Sequence, residues 1–285
     1  MSVYIKTRFY NMNSNFDSAI QFVKEQLSKA NNIGVITGAG TSTASGIQDF
    51  RGDNGIYNQD NSDLKYKPEE ILSIDFFDKD DEHKKIFWQF YRKYFTKEYE
   101  PNIAHNFFAN LEKAGKEVHI TTQNIDSLHA KAGSKNVYEI HGNASKFKCM
   151  CCEKEFGTDW FSPNTDEIPV HKDCVNIILD ETPYIRPEVV LYGEMLPSKE
   201  IHSANISAQK ADIYFVVGTS LDVGPANGLP TEYIRSRRLC GRHSTLVIIN
   251  KGYINAFLLE AYKRTATNLI YFNQDMTEVF KALER

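Results

Sequence analysis

Residues 33 to 51, IGVITGAGTSTASGIQDFR, join a short apolar run to a loop that carries glycines, hydroxyls, a carboxylate, an aromatic ring and a guanidinium. Ile33, Val35 and Ile36 read as a short buried strand, so Gly38, Ala39 and Gly40 fall where a strand turns into a helix. At such a turn backbone N–H groups can face a pyrophosphate, and the Ser42 and Thr43 hydroxyls can donate to it. The glycine order is G-x-G, five residues, then Gly46, which departs from the G-x-G-x-x-G pattern of hydride-carrying dehydrogenases. A plain glycine turn would account for the glycines alone. Asp49, Phe50 and Arg51 so close behind point instead to an enzyme that breaks a dinucleotide.

On the upstream side, Phe16, Ile20, Val23 and Leu27 recur at helical spacing and predict an amphipathic helix over 16 to 30. Downstream, apolar runs ending at polar or glycine-bearing turns appear at Val118 to Thr122, Val137 to Ile140, Ile213 to Val217, Leu246 to Ile249 and Leu269 to Phe272, with helical patterns between several of them. This alternation predicts an α/β fold, a Rossmann-like and mostly parallel sheet with helices on both faces, whose ligands bind outside the carboxyl ends of the strands. Two stretches break the pattern: 52–100, rich in charge and aromatics, and 144–187, which carries cysteines and little strand signal. They read as insertions forming a small helical and zinc-binding domain, leaving 1–51, 101–143 and 188–285 for the larger, dinucleotide-binding domain.

The strand ends carry the chemistry. After the Val118 run come Gln123, Asn124 and Asp126, two amides and a carboxylate that could form a hydrogen-bonding cradle or merely an Asx turn capping the next helix. His141 and Gly142 follow the next run, Gly218, Thr219 and Ser220 close the Ile213 run, and Asn250 with Lys251 closes the Leu246 run. The last two groups suit the ribose and adenine end of a dinucleotide.

Cys149-x-x-Cys152, then eighteen residues, then His171-x-x-Cys174 has the spacing of two zinc knuckles. Four protein ligands leave no open position, so one structural ion is expected, without activation of water. Cys151 could replace a neighbour, but the two-residue spacing favours Cys149 and Cys152. Cys240 stands apart and reads as structural.

With 285 residues, 41% hydrophobic and 25% charged, the chain has the make-up of a globular protein. A formal net charge of −4 supplies no basic field for nucleic acid or anionic membrane. The opening MSVYIKTRFYNMN lacks an apolar run of signal-peptide length, and no segment approaches the ~20 apolar residues that span a bilayer. A cytoplasmic location is therefore expected, in keeping with Cys149, Cys151 and Cys152 crowding together in a way that suits metal binding better than a disulfide framework.

Taken together, these segments resemble the sirtuin family of NAD-dependent protein deacylases, in its bacterial type. The resemblance runs from about Ala19 to the final helix. Besides the glycine loop and TQNID it rests on PEEILS (68–73), AHNFFANLEKAGK (104–116), LHAKAGSKNVYEIHG (128–142), RPEVVLYGEMLP (186–197) and GTSLDVGPA (218–226). It implies a Rossmann-like domain that binds NAD as a consumed co-substrate, a small zinc domain beside it, and acyl-lysine of a protein substrate entering between them. By position, His141 matches the general base, acting through the NAD ribose hydroxyls once the acyl oxygen has attacked the anomeric carbon. An ordinary imidazole, with a pKa near ~6.5, supplies a neutral acceptor at neutral pH. Asn124 and Asp126 match residues that order the nicotinamide ribose, and Gln123 lies against the same sugar. Ala39, Ile47 and Asp49 match the nicotinamide pocket, Phe50 the ring shielding the reacting centre, Arg51 a residue positioning NAD, and Tyr57 the loop that closes over it. Backbone at Val190, Leu191, Tyr192 and Gly193 would pair with the acyl-lysine segment as a short added strand.

Three positions depart from the family pattern. Gln48 stands where proline is usual, His171 where a third cysteine is usual, and the stretch from Cys174 to Arg186 is several residues longer. The family branch that takes acidic acyl groups carries Tyr-x-x-Arg, which neither Tyr57 nor Tyr66 begins, so acetyl or another neutral acyl group is expected. Competing readings are ADP-ribosyl transfer to protein or NAD hydrolysis, since the same cleft activates the same carbon, and a non-catalytic NAD or ADP-ribose sensor.

Overall fold

The computed structural model describes residues 2–6, 11–12, 15–49, 55–57, 65–162, 165, 167–174 and 183–285. In chain order its strands are β1 (Ser2–Lys6), β2 (Asn11–Met12), β3 (Asn32–Thr37), β4 (Glu117–Thr122), β5 (Asn136–Glu139), β6 (Gly142–Cys149), β7 (Glu155–Phe156), β8 (Ile185–Val189), β9 (Ile213–Val217), β10 (Thr245–Ile249) and β11 (Asn268–Asn273). The helices are α1 (Phe16–Lys29), α2 (Pro68–Ile71), α3 (Ile74–Phe77), α4 (Asp81–Phe95), α5 (Ile103–Lys113), α6 (Leu128–Lys131), α7 (Ser198–Lys210), α8 (Leu229–Leu239), α9 (Ala256–Thr265) and α10 (Met276–Glu284). Among the described residues no helix is long and apolar enough to cross a membrane.

The larger sheet has the order β2-β1-β11-β10-β9-β3-β4-β5. From β11 to β5 every neighbouring pair is parallel, while β1 and β2 add an antiparallel edge. Alternation along each strand loads both faces. Ile213, Phe215 and Val217 join one core with Ala19 and Val23 of α1, Phe108 of α5 and Phe280 of α10. Tyr214 and Val216 join the other with Ala208 of α7, Tyr233 of α8 and Tyr262 of α9. Burying each such large side chain contributes about 1.5–3 kcal/mol, which is why strands covered on both faces read as unbroken apolar runs. The first helix forms as its spacing predicts: Asn15 caps it by accepting from Ser18 N–H at 2.9 Å, Asp17 lies in its first turn and Lys29 in its last.

From β3 the chain steps to β4 and β5 on one side, then crosses to β9, β10 and β11 on the other. The carboxyl ends of β3 and β9 are thus the switch point where a doubly wound sheet opens a crevice.

A second, three-stranded sheet, β7-β6-β8, is antiparallel. It packs with α2, α3 and α4 around a third core in which Phe77, Phe87, Trp88, Tyr91 and Phe147 are buried. The sequence shows little of this sheet because only Ala144, Phe147 and Cys149 of β6 join the core, and its pairing with β8 shifts register between Asn143 and Phe147. Both β6 and β8 run across the boundaries expected between the insertions and the larger part. Gly142, at φ +81°, opens β6, and a Cβ there would lie 1.9 Å from the Glu188 carbonyl oxygen, so only glycine lets the strands meet.

Two further sequence expectations change. The helix after β3 is a 3-10 helix, Ala39–Ser45, in which the Thr43 hydroxyl donates to the Gly40 carbonyl. Cys240, expected to be structural, is exposed at the end of α8, where it packs into no core.

Candidate active site

At the switch point the loops after β3 and β9 touch. Gly40 N–H donates to Gly218 C=O at 2.9 Å and Gly38 N–H to Val217 C=O at 3.1 Å. Gly218 has φ +59°, and a Cβ on it would stand 2.2 Å from Thr41 N. The glycines therefore serve close packing of two loops, and Gly38, Gly40 and Thr41 N–H are already engaged, Thr41 by the Gly38 carbonyl at 2.8 Å. This corrects the picture of the Gly38 and Gly40 amides facing a pyrophosphate; it leaves the Ala39 amide as expected. The Ser42 hydroxyl is likewise engaged: it is buried and donates to Asp126 Oδ2 at 2.6 Å.

Behind this loop lies a closed network. Asn124 Nδ2 donates to the Gly38 carbonyl at 3.1 Å and to Ser42 Oγ at 3.0 Å, and its backbone N–H donates to Thr122 Oγ1 at 3.0 Å. Asp126 Oδ1 accepts from Leu128 N–H at 2.9 Å, capping α6. TQNID thus forms the capping turn, and its Asn124 and Asp126 side chains bond within the chain. Gln123 Nε2 donates to Thr219 Oγ1 at 2.9 Å, tying β4 to the loop after β9.

His141 stands between β5 and β6, at the seam of the two sheets. Its Nδ1 lies 2.9 Å from the Gln123 carbonyl oxygen, an acceptor, so Nδ1 carries the proton and Nε2 the lone pair. Burial pushes the imidazole below its ordinary pKa, offset in part by that hydrogen bond. The ring is neutral at pH 7, with a free basic nitrogen.

A cleft of about 590 Å³ gathers these pieces. Gly38, Ala39, Gly40, Asp49 and Tyr57 line it from the loop after β3, Gln123, Asn124 and His141 from the β4 and β5 ends, Gly218, Thr219 and Ser220 from β9, and Asn250 with Lys251 from β10. Val190, Leu191, Tyr192 and Gly193 form the opposite wall. Ser42, Ile47 and Asp126 do not line it; Ser42 and Asp126 act behind it through Asn124. Phe50 and Arg51 lie outside the described residues, as does 175–182 of the lengthened stretch after Cys174. Gln48 is exposed.

The Sir2 family model matches residues 38–225, from the glycine loop to the end of the GTSLDVGP segment. The chain belongs to the Sir2 family. It is 37% identical over 265 residues to an NAD-dependent protein deacetylase of Staphylococcus epidermidis, covering 93% of this chain and 96% of that protein. An NAD-dependent protein deacetylase of Clostridium tetani is 40% identical over 231 residues, covering 81% and 86%. Among solved structures, a Sir2 protein with a deacetylated p53 peptide and 3'-O-acetyl ADP-ribose superposes with a TM-score of 0.75 at 33% identity, covering 93% of this chain and 96% of that one.

In this Sir2 chain the metal donors assemble as their spacing predicts. The ligand atoms of Cys149, Cys152, His171 and Cys174 all lie within 4.8 Å of one another. Tetrahedral Zn–S and Zn–N bonds of about 2.0–2.3 Å put donors roughly 3.3–3.8 Å apart, so a slight contraction around one ion completes a Cys3His site. Phe156 packs edge-on against the His171 ring at 5.1 Å and helps orient it.

Several cleft residues escape sequence reasoning. Leu72, Tyr91, Phe95 and Ile125 line it beside the third core, and Tyr91 and Phe95 share the helical spacing of ordinary core residues. The Tyr57 and Tyr192 hydroxyls meet at 2.8 Å, joining the loop after β3 to the wall formed by residues 190–193. Arg186 and Glu194 pair bidentately next to that wall; their one legible signal is a pair of opposite charges flanking the apolar run Val189 to Leu191.

Proposed function

We propose that this Sir2 chain is an NAD-dependent protein-lysine deacylase, acting first on acetyl or another neutral acyl group, that consumes NAD and one water and releases nicotinamide, free lysine and O-acyl-ADP-ribose. The observation that carries the reading is His141: a neutral imidazole with Nδ1–H committed to the Gln123 carbonyl and Nε2 unprotonated, in a cleft walled by the glycine loop and by Val190 to Gly193. The deacetylase relatives, and the Sir2 structure holding a peptide beside an acetylated ADP-ribose, support the same chemistry.

In this reading NAD lies along the strand ends, nicotinamide toward Ala39, Ile47, Asp49 and Phe50, the adenine side toward Gly218, Thr219, Ser220, Asn250 and Lys251, with Arg51 helping to position it and Tyr57 on the loop that closes over it. When bound, NAD supplies an anomeric carbon from which nicotinamide leaves and to which the acyl oxygen adds. His141 Nε2 accepts the proton of a ribose hydroxyl. Asn124, both amide hydrogens held by Gly38 and Ser42, keeps Oδ1 as an acceptor for the same ribose, and Asp126 fixes Ser42 in that arrangement. The acyl-lysine segment lies along Val190 to Gly193. Lys251 is the one Lys or Arg lining the cleft among the described residues, which supports a neutral acyl group.

The division into a dinucleotide-binding domain (1–51, 101–143, 188–285) and a smaller zinc-bearing domain (52–100, 144–187) belongs to the same proposal, supported by the separate third core. The zinc would hold β6 to the segment carrying His171 and Cys174, apart from the chemistry. A cytoplasmic setting is supported by five cysteines, none of them in a disulfide.

The test is to incubate the protein with NAD and an acetyl-lysine peptide and follow nicotinamide together with peptide mass. Peptide-dependent nicotinamide release matched by loss of acetyl mass is expected. Release independent of peptide, or ADP-ribose appearing on protein, would overturn the reading.

A further inference from the structure

We propose that Arg186 and Glu194 form a clamp that sets the Val190 to Gly193 backbone in its substrate-receiving shape, a positioning role in acyl-peptide recognition. The inference rests on the deacylase reading above. Arg186 is buried near the start of β8. Its two terminal nitrogens donate to Glu194 Oε1 at 2.8 Å and Oε2 at 2.7 Å, and one of them also donates to the Val189 carbonyl at 3.1 Å. Glu194 Oε2 in turn accepts Leu191 N–H at 2.8 Å. One guanidinium thus gathers both ends of the turn from Val189 to Glu194, with the Phe77 ring beneath it at 5.6 Å.

Other segments pin the same turn from outside. Val190 N–H donates to the His141 carbonyl at 2.9 Å, Tyr192 N–H to Leu72 C=O at 2.8 Å, and Ile74 N–H to Tyr192 C=O at 2.9 Å. Val190 C=O and Gly193 N–H have no hydrogen-bond partner among the described residues. They are the groups an extended peptide can pair with. A pre-ordered backbone binds without first having to be fixed, so a turn held by an ion pair whose guanidinium is buried favours peptide association. The same turn reaches His141 through Val190, so its shape also sets where the acyl group lies relative to Nε2.

The experiment measures binding of a fluorescein-labelled acetyl-lysine peptide by anisotropy and of NAD by calorimetry, on the full-length, zinc-loaded parent and on Glu194→Gln, Arg186→Lys and Arg186→Met. Peptide affinity should fall ~10- to 100-fold in Arg186→Met. Arg186→Lys should recover little of it, because a point charge cannot reproduce the fork. Glu194→Gln, which can still accept Leu191 N–H, should be intermediate. NAD affinity should move less than about twofold, a split that a general strut of the fold would not give. Peptide affinity within about twofold of the parent in Glu194→Gln and in any folded Arg186 variant, or parallel loss of peptide and NAD binding, overturns the clamp while leaving the deacylase reading standing. A parent that binds no acetyl-lysine peptide overturns both.

Discussion

Every residue of β9 and β10 is buried, and each strand has a parallel partner on either side. In β6, by contrast, buried residues alternate irregularly with exposed ones, and its pairing with β8 is broken by a shift of register. The larger sheet is held by apolar side chains on both faces. The smaller one relies on an aromatic cluster at one side and on four metal donors at the other. The larger sheet thus holds polar groups at its strand ends, where Asn124 and Ser42 are buried and Asp126 is half-buried beside them. The smaller sheet contributes position, carrying the backbone that follows His141 and the wall that faces it.

The largest test of this contrast is metal removal. Stripping zinc with a chelator, or changing Cys149 to Ser, should destabilise the smaller sheet by several kcal/mol, since binding energy at a closed site is folding energy. Hydrogen exchange should then show amides of 142–149 and 185–189 losing protection while 213–217 and 245–249 keep theirs. Equal loss in both regions would erase the distinction.

Next comes the seam itself. His141→Ala should lower turnover about 10²- to 10⁴-fold, the usual contribution of a general base, with NAD binding changed little. Because burial depresses the imidazole, the acidic limb of kcat/KM should fall below the ordinary value of ~6.5. Wild-type turnover in the variant would remove the assigned base.

A third test addresses the larger part. Burial pushes His105 down to about 4, a shift only partly opposed by the Asp126 carboxylate, and pushes His129 well below its ordinary value. Both are neutral in the fold, whereas the unfolded chain gains these protons as pH drops through ~6.5. Stability should therefore decline from about pH 6.5 until His105 itself protonates near 4, by roughly 3 kcal/mol for that residue. Melting temperatures flat from about pH 7.5 to about pH 5 would contradict the assignment.

The smallest effect concerns the contact across the cleft. Tyr192→Phe deletes one oxygen that meets Tyr57 at 2.8 Å. At about 1 kcal/mol for an exposed neutral hydrogen bond, it should raise the KM for NAD a few-fold, although Tyr192 lies on the wall proposed to receive the peptide. Tyr57→Phe should do the same, and the double variant no more than either. Additive effects would show the two hydroxyls acting separately.

Much of this was legible because it is local. The strands around Ile33, Ile120, Phe215 and Val247 announce themselves by apolar runs, and the zinc donors by knuckle spacing. Residues at the strand ends had to converge once the sheet was parallel. Less legible was what each polar group does there. Ser42 reads as a phosphate donor in the chain, and becomes a buried link to Asp126 only when α6 is brought against the glycine loop. β1 escapes notice because its five residues find their partner, β11, at the far end of the chain.

The sequence by itself determined the doubly wound sheet, the metal donors and the set of residues gathered at the strand ends, because hydrophobic periodicity and ligand spacing act over a few residues. Tertiary structure alone decided which amides and hydroxyls stay available to a ligand, which nitrogen of His141 is basic, and that Arg186 grips Glu194. Those outcomes depend on hydrogen-bond partners far apart in the chain, and a polar group's role is set by the partner it meets once water has been excluded.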